Sequence, residues 1–89
     1  MKLYSKHPDA KLDYSVNWAD FLGETDTIEE STWDVPDGLT ESAPSFTDSA
    51  AVIWLEGGEL GEEYVVSNSI VTAEGREDVR SFTVKIEIT

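Results

Sequence analysis

Apolar and polar residues alternate in short runs along most of the chain. Leu12, Tyr14, Val16 and Trp18 alternate with Lys11, Asp13, Ser15 and Asn17, the period-two pattern of a strand with one buried face. The same pattern sets Tyr64, Val66, Asn68 and Ile70 against Val65, Ser67, Ser69 and Val71, and sets Phe82, Val84, Ile86 and Ile88 against Ser81, Thr83, Lys85 and Glu87. Thr27–Val35 reads as a strand with Ile28 on one parity and Trp33 and Val35 on the other, which predicts a bulge or twist between them. Val52, Ile53, Trp54 and Leu55 make Ser49–Leu55 apolar on both parities. Either both of its faces are buried internally, or one is buried and the other meets a partner.

No window sustains helical spacing. Trp18–Leu22 does break the alternation, and Asp20-Phe21-Leu22-Gly23 suits one helical turn ended by glycine. Pro36-Asp37-Gly38 predicts a turn, because proline presets φ and glycine accepts the positive φ that follows. Leu39 begins a short strand that dissolves into the polar run 40–45, where Pro44 favours an edge or a loop. Ala73-Glu74-Gly75-Arg76 predicts a hairpin turn with glycine in the left-handed position. Residues 1–10 hold no period, and Pro8 keeps His7 extended. The reading is an all-β fold: an antiparallel sandwich of about six to seven strands spaced roughly ten residues apart over 11–89, preceded by an extended N-terminal arm over 1–10.

Eighty-nine residues leave room for one core. With 39% apolar residues the chain is too hydrophobic for a disordered tail. The absence of cysteine removes a disulfide framework, a thiolate zinc site and a thiol nucleophile together. No apolar run approaches the length of a membrane span, and the opening residues lack the apolar stretch of a signal peptide.

Charge changes the picture most. The net charge of −13 argues against binding nucleic acid or an anionic membrane. Its distribution is lopsided: no Lys or Arg occurs between Lys11 and Arg76. All the bases (Lys2, Lys6, Lys11, Arg76, Arg80 and Lys85) lie at the two ends, and the acids concentrate in the body between them. That division reads either as an acidic solvated surface that keeps the protein in solution, or as a slightly basic arm docking on an acidic partner while an acidic body faces solvent.

Catalytic chemistry is poorly supplied. The single histidine, His7, sits in the arm beside Pro8 rather than between walls that would fix its tautomer. Neighbouring carboxylates such as Glu29 with Glu30, or Glu62 with Glu63, point to opposite faces of a strand and converge on nothing. The turn carboxylates around Asp34–Gly38 and Glu24–Asp26 match no calcium loop, and Gly57, Gly58 and Gly61 make no phosphate cradle. The expectation is a protein without catalytic residues, metal or cofactor, one that works by being placed. Its partner-binding candidates are Lys2, Tyr4, Lys6 and His7 of the arm, with Trp18, Phe21 and Trp54 as aromatic anchors; Trp18, Trp33 and Trp54 read equally as core or core-edge residues.

Two resemblances extend this reading. The run Leu60-Gly61-Glu62-Glu63-Tyr64-Val65-Val66, followed by the glycine hairpin and the alternating final strand, resembles the end of an immunoglobulin-like domain. There a tyrosine pins the corner that enters the penultimate strand. The resemblance implies an immunoglobulin-like sandwich in which the Tyr64 hydroxyl reaches back to a loop carbonyl and Trp54 stands as a candidate core tryptophan. Over nearly its full length the chain also resembles small virion proteins of tailed phages. The matching segments are Lys6–Tyr14 (K-x-P-D-A-x-L-D-Y), Trp18–Gly23 (W-x-x-x-L-G), Thr32–Leu39 (T-x-x-V-P-x-G-L), Val52–Gly58 (V-x-W-L-x-G-G) and Gly75–Phe82 (G-R-x-D-x-R-S-F).

This second resemblance implies a capsid cement or decoration protein on the outer capsid surface. Such a protein would bind across subunits of the major capsid protein and self-associate into an oligomer there. The alternative it leaves open is an adhesion module on a tail, fibre or head surface that binds host glycans.

Overall fold

The computed structural model describes residues 2–88. Strands β1 (Lys2–Lys6), β2 (Lys11–Asn17), β3 (Ile28–Asp34), β4 (Leu39–Phe46), β5 (Ala50–Gly57), β6 (Glu63–Thr72) and β7 (Glu77–Ile86) are joined by one helical turn, α1 (Ala19–Leu22). They form two sheets, in the orders β1-β7-β6-β3 and β2-β5-β4. Only β4–β5 and β6–β7 are sequential neighbours; every other connection crosses between the sheets. That is the strand order of an immunoglobulin-type sandwich, with the first strand added parallel to the last.

The segment read as an arm therefore contributes to the sheet. Lys2–Lys6 pairs in register with Phe82–Ile86, and Glu87 N–H donates to the Lys6 carbonyl at 3.0 Å. The arm shows no period because an edge strand of five residues exposes most of its side chains.

Alternation decides which residues fill the sandwich. From β6, Tyr64, Val66, Asn68, Ile70 and Thr72 point inward; from β7, Phe82, Val84 and Ile86 do so. Facing them, Tyr14 of β2 lies opposite Ile53 of β5. Ala51, Ile53 and Leu55 are fully buried, whereas Trp54 is 38% exposed on the outer face. So the apolar β5 buries a single face, and Trp54 is not the core tryptophan. That place belongs to Trp18, which is fully buried with Leu22, Ile28 and Ile70. Val16 packs against both this cluster and the larger one around Tyr14, Phe82 and Val84.

The irregularities fall where the sequence breaks its own pattern. The β3–β6 register shifts between Ile28 and Glu30, the bulge that the parity change predicts. The polar run 40–45 does stay in a strand, but β4 lies at the sheet edge and slips register between Ser42 and Ser45. Ala43, at φ 48°, and Pro44 sit in that slip.

Tyr64 closes the corner before β6. Its hydroxyl accepts a hydrogen bond from Glu59 N–H at 3.0 Å, so the tie is to a loop amide and not to the expected carbonyl. Tyr64→Phe leaves that part-buried N–H unsatisfied and is expected to lower stability by about 1 kcal/mol, read as a shift of the urea midpoint at unchanged slope.

Candidate docking surfaces

The fold scatters the partner-binding candidates. Lys2 is exposed on β1, and Tyr4 is half-buried. The Tyr4 ring sits edge-on to Tyr14, with centroids 5.0 Å apart, and to Phe82 at 5.4 Å. Lys6 is 1% exposed and unavailable for docking: its Nζ donates to the Gly57 carbonyl at 2.7 Å and the His7 carbonyl at 2.9 Å. Desolvation by burial lowers its pKa, and Glu56 and Asp9 oppose that shift. Lys6 thus fastens β1 to the end of β5 in the opposite sheet. His7 is engaged locally, its Nδ1 accepting from Asp9 N–H at 3.0 Å across the His7–Ala10 turn.

Trp18 and Phe21 belong to a clamp. The indole Nε1–H of Trp18 donates to Asn68 Oδ1 at 2.9 Å, and the Asn68 amide donates onward to Ser31 Oγ and the Thr32 carbonyl. Arg80 lies 4.5 Å above the Trp18 ring, pairs with both Asp20 oxygens and donates to the Asn17 carbonyl. Arg76 lies 4.6 Å above Phe21, pairs with Asp26 through Nε and Nη2, and donates to the Leu22 carbonyl. Two motifs more than fifty residues apart, Trp18–Gly23 and Gly75–Phe82, thereby hold one another. Guanidinium planes suit this work, since each combines stacking with several directed N–H groups.

Asp26 is the buried member, its side chain 1% exposed. Burial pushes its pKa up, but hydrogen bonds from Thr72, Arg76 and the Glu74 and Thr27 amides outweigh this and hold it below the ordinary value. A carboxylate lowered by folding contributes stability that is complete above its unfolded pKa, here 3.8, and is lost as pH falls through the folded value. Asp26→Asn is therefore expected to melt below the wild type by a constant gap from about pH 7 to about pH 5, a gap that narrows below about pH 4. A gap independent of pH down to acid unfolding would contradict this.

Trp54 projects from the outer face of the three-stranded sheet, opposite Asp13 on one side and Ser42 on the other. It shares no surface with Lys2 or Tyr4. On the outer face of the other sheet, Leu3 and Val65, 63% and 50% exposed, flank Thr83 in one row of the register.

One concave feature lies between the edge strands β1 and β2, and another of similar volume borders Glu30, Thr32 and Val79. The first is a groove of about 570 Å³ lined by Lys2, Tyr4, Val16, Asn17, Arg80 and Phe82, with Ser15 and Ser81 at its sides. Of the seven candidates only Lys2 and Tyr4 enter it. Sequence reasoning missed Arg80, Asn17 and Val16. The available signal was the gathering of bases at both chain ends, which parallel pairing of β1 with β7 brings to one side of the molecule. The opposite side, along β3 and β4, carries Glu29, Glu30, Asp34 and Glu41 and no base.

A family model described as podophage GP4 fiber-tail adaptor protein gp77 matches residues 6–85. No curated protein matches the chain.

Proposed function

From the premise that the chain belongs to the podophage GP4 fiber-tail adaptor protein gp77 family, we propose that it is a non-enzymatic structural protein joining a fibre to the phage tail. The observation that carries this reading is the family match, which spans nearly the whole sandwich. The geometry supports it. His7 caps a turn, Arg76 and Arg80 brace α1, and Asp26 neutralises a guanidinium, so these groups serve the fold. The expected partners are a fibre and a tail protein in place of the major capsid protein, and the expected location is the tail. The family description favours the tail-and-fibre alternative over a cement protein on the capsid surface. An adaptor needs two separate contact regions, and the molecule offers two sides of different charge.

Copy counting tests this. Purified virions are separated into heads and tails, and the chain is quantified in each by mass spectrometry. A small fixed number of copies with the tails supports the adaptor; hundreds on the heads would restore the cement reading and sink this one.

A further inference from the structure

We infer that the groove between β1 and β2 seats one extended, acidic segment of another virion polypeptide, which adds as a strand to the free edge of β1. The inference deepens the adaptor reading and rests on it. Strand β1 ends the four-stranded sheet and β2 ends the other, so each presents one side without a strand neighbour. A segment paired with the five residues of β1 gains main-chain hydrogen bonds for affinity and alternates its side chains for specificity. One set of those side chains meets the apolar floor of Tyr4, Val16 and Phe82.

Charge selects the partner. Among the described residues Lys2 and Lys11 make no ion pair, in contrast to Arg76, Arg80 and Lys85. These two free cations stand on the two strands that flank the groove, and Lys2 lines it. The far edge repels an acidic strand through Glu29, Glu30, Asp34 and Glu41. An extended segment with carboxylates is therefore tolerated on the β1–β2 side of the molecule and opposed on the β3–β4 side. A second copy pairing β1 with β1 is a poor occupant, because that strand brings Lys2 and no carboxylate to meet Lys2.

Photo-crosslinking in assembled virions tests the site. p-Benzoylphenylalanine replaces Ser15 in the groove or, in a separate chain, Thr32 on the opposite edge. Irradiated tails are digested and the joined peptides are sequenced. The expected result is one adduct from position 15 to an acidic segment of a different virion protein, with its yield reduced at least tenfold by Lys2→Glu while the melting temperature of the isolated chain is unchanged. An adduct to another copy of this chain, an adduct to a segment without carboxylates, an unchanged yield with Lys2→Glu, or silence at position 15 would each overturn the inference. A chain present in tails but silent at position 15 refutes the groove alone. A chain absent from tails refutes the adaptor reading itself.

Discussion

Trp18→Ala is expected to remove about 4 kcal/mol of stability, the range of a large aromatic truncated in a closed core. Three losses combine. The indole is fully buried among Leu22, Ile28 and Ile70, so its removal opens a cavity that the clamped helical turn cannot readily collapse into. Asn68, also fully buried, loses the donor to its Oδ1. Arg80 loses the ring on which it lies. A domain of this size has about 4–13 kcal/mol in total, so the loss removes about a third or more of it and the denaturation midpoint is expected to fall steeply. Denaturant melts followed by far-ultraviolet circular dichroism check this. A docking tryptophan would behave oppositely, leaving the melt unchanged and weakening only assembly, and that outcome would return Trp18 to the partner-binding set.

Gly38→Ala is the second large effect, expected at about 2–4 kcal/mol. Gly38 adopts φ 107° and a β-carbon built there would lie 2.8 Å from both Cε1 and the hydroxyl oxygen of Tyr64. The backbone strain and the clash act together. The ring is held by the core on one side and by the bond to Glu59 N–H on the other, so it cannot step aside without undoing the corner. In Gly38→Ala combined with Tyr64→Ala the clash is gone. The double variant is expected to be less destabilised than the two single changes added together, a non-additivity that a thermodynamic cycle reads directly. Strict additivity would mean that the two residues do not contend for the same space.

Strand positions were legible because alternation is a local property. Tyr14–Val16, Tyr64–Ile70 and Phe82–Ile86 each declare their own buried face, although Leu12, on the same parity as Tyr14, is exposed. Asp20–Gly23 and Ala73–Arg76 carry their turn chemistry within four residues. Tyr64 was legible as a corner for the same reason, through the short run that enters β6. What stayed hidden depends on contacts distant in sequence. Trp18 and Trp54 both sit in apolar surroundings along the chain, and only the register, which places Ile53 and Leu55 inward, turns Trp54 out. Lys6 looked like a surface base because lysine usually is one; two backbone carbonyls, one of them fifty-one residues away, bury it. Strand β1 went unread because its partner is the last strand. The groove followed it into obscurity, being made of residues from both chain ends and β2.

The parallel pairing of the first strand with the last also orders events during synthesis. Lys2–Lys6 is synthesised well before its strand partner, Phe82–Ile86. The nascent chain must carry an unpaired, partly apolar strand until Phe82–Ile86 has been made. Closure then requires Lys6 to shed its water and find the Gly57 carbonyl. Non-local pairing of this kind is slow because the loop must close before any contact rewards it. The same strand that borders the groove thus cannot be paired until Phe82–Ile86 exists to receive it.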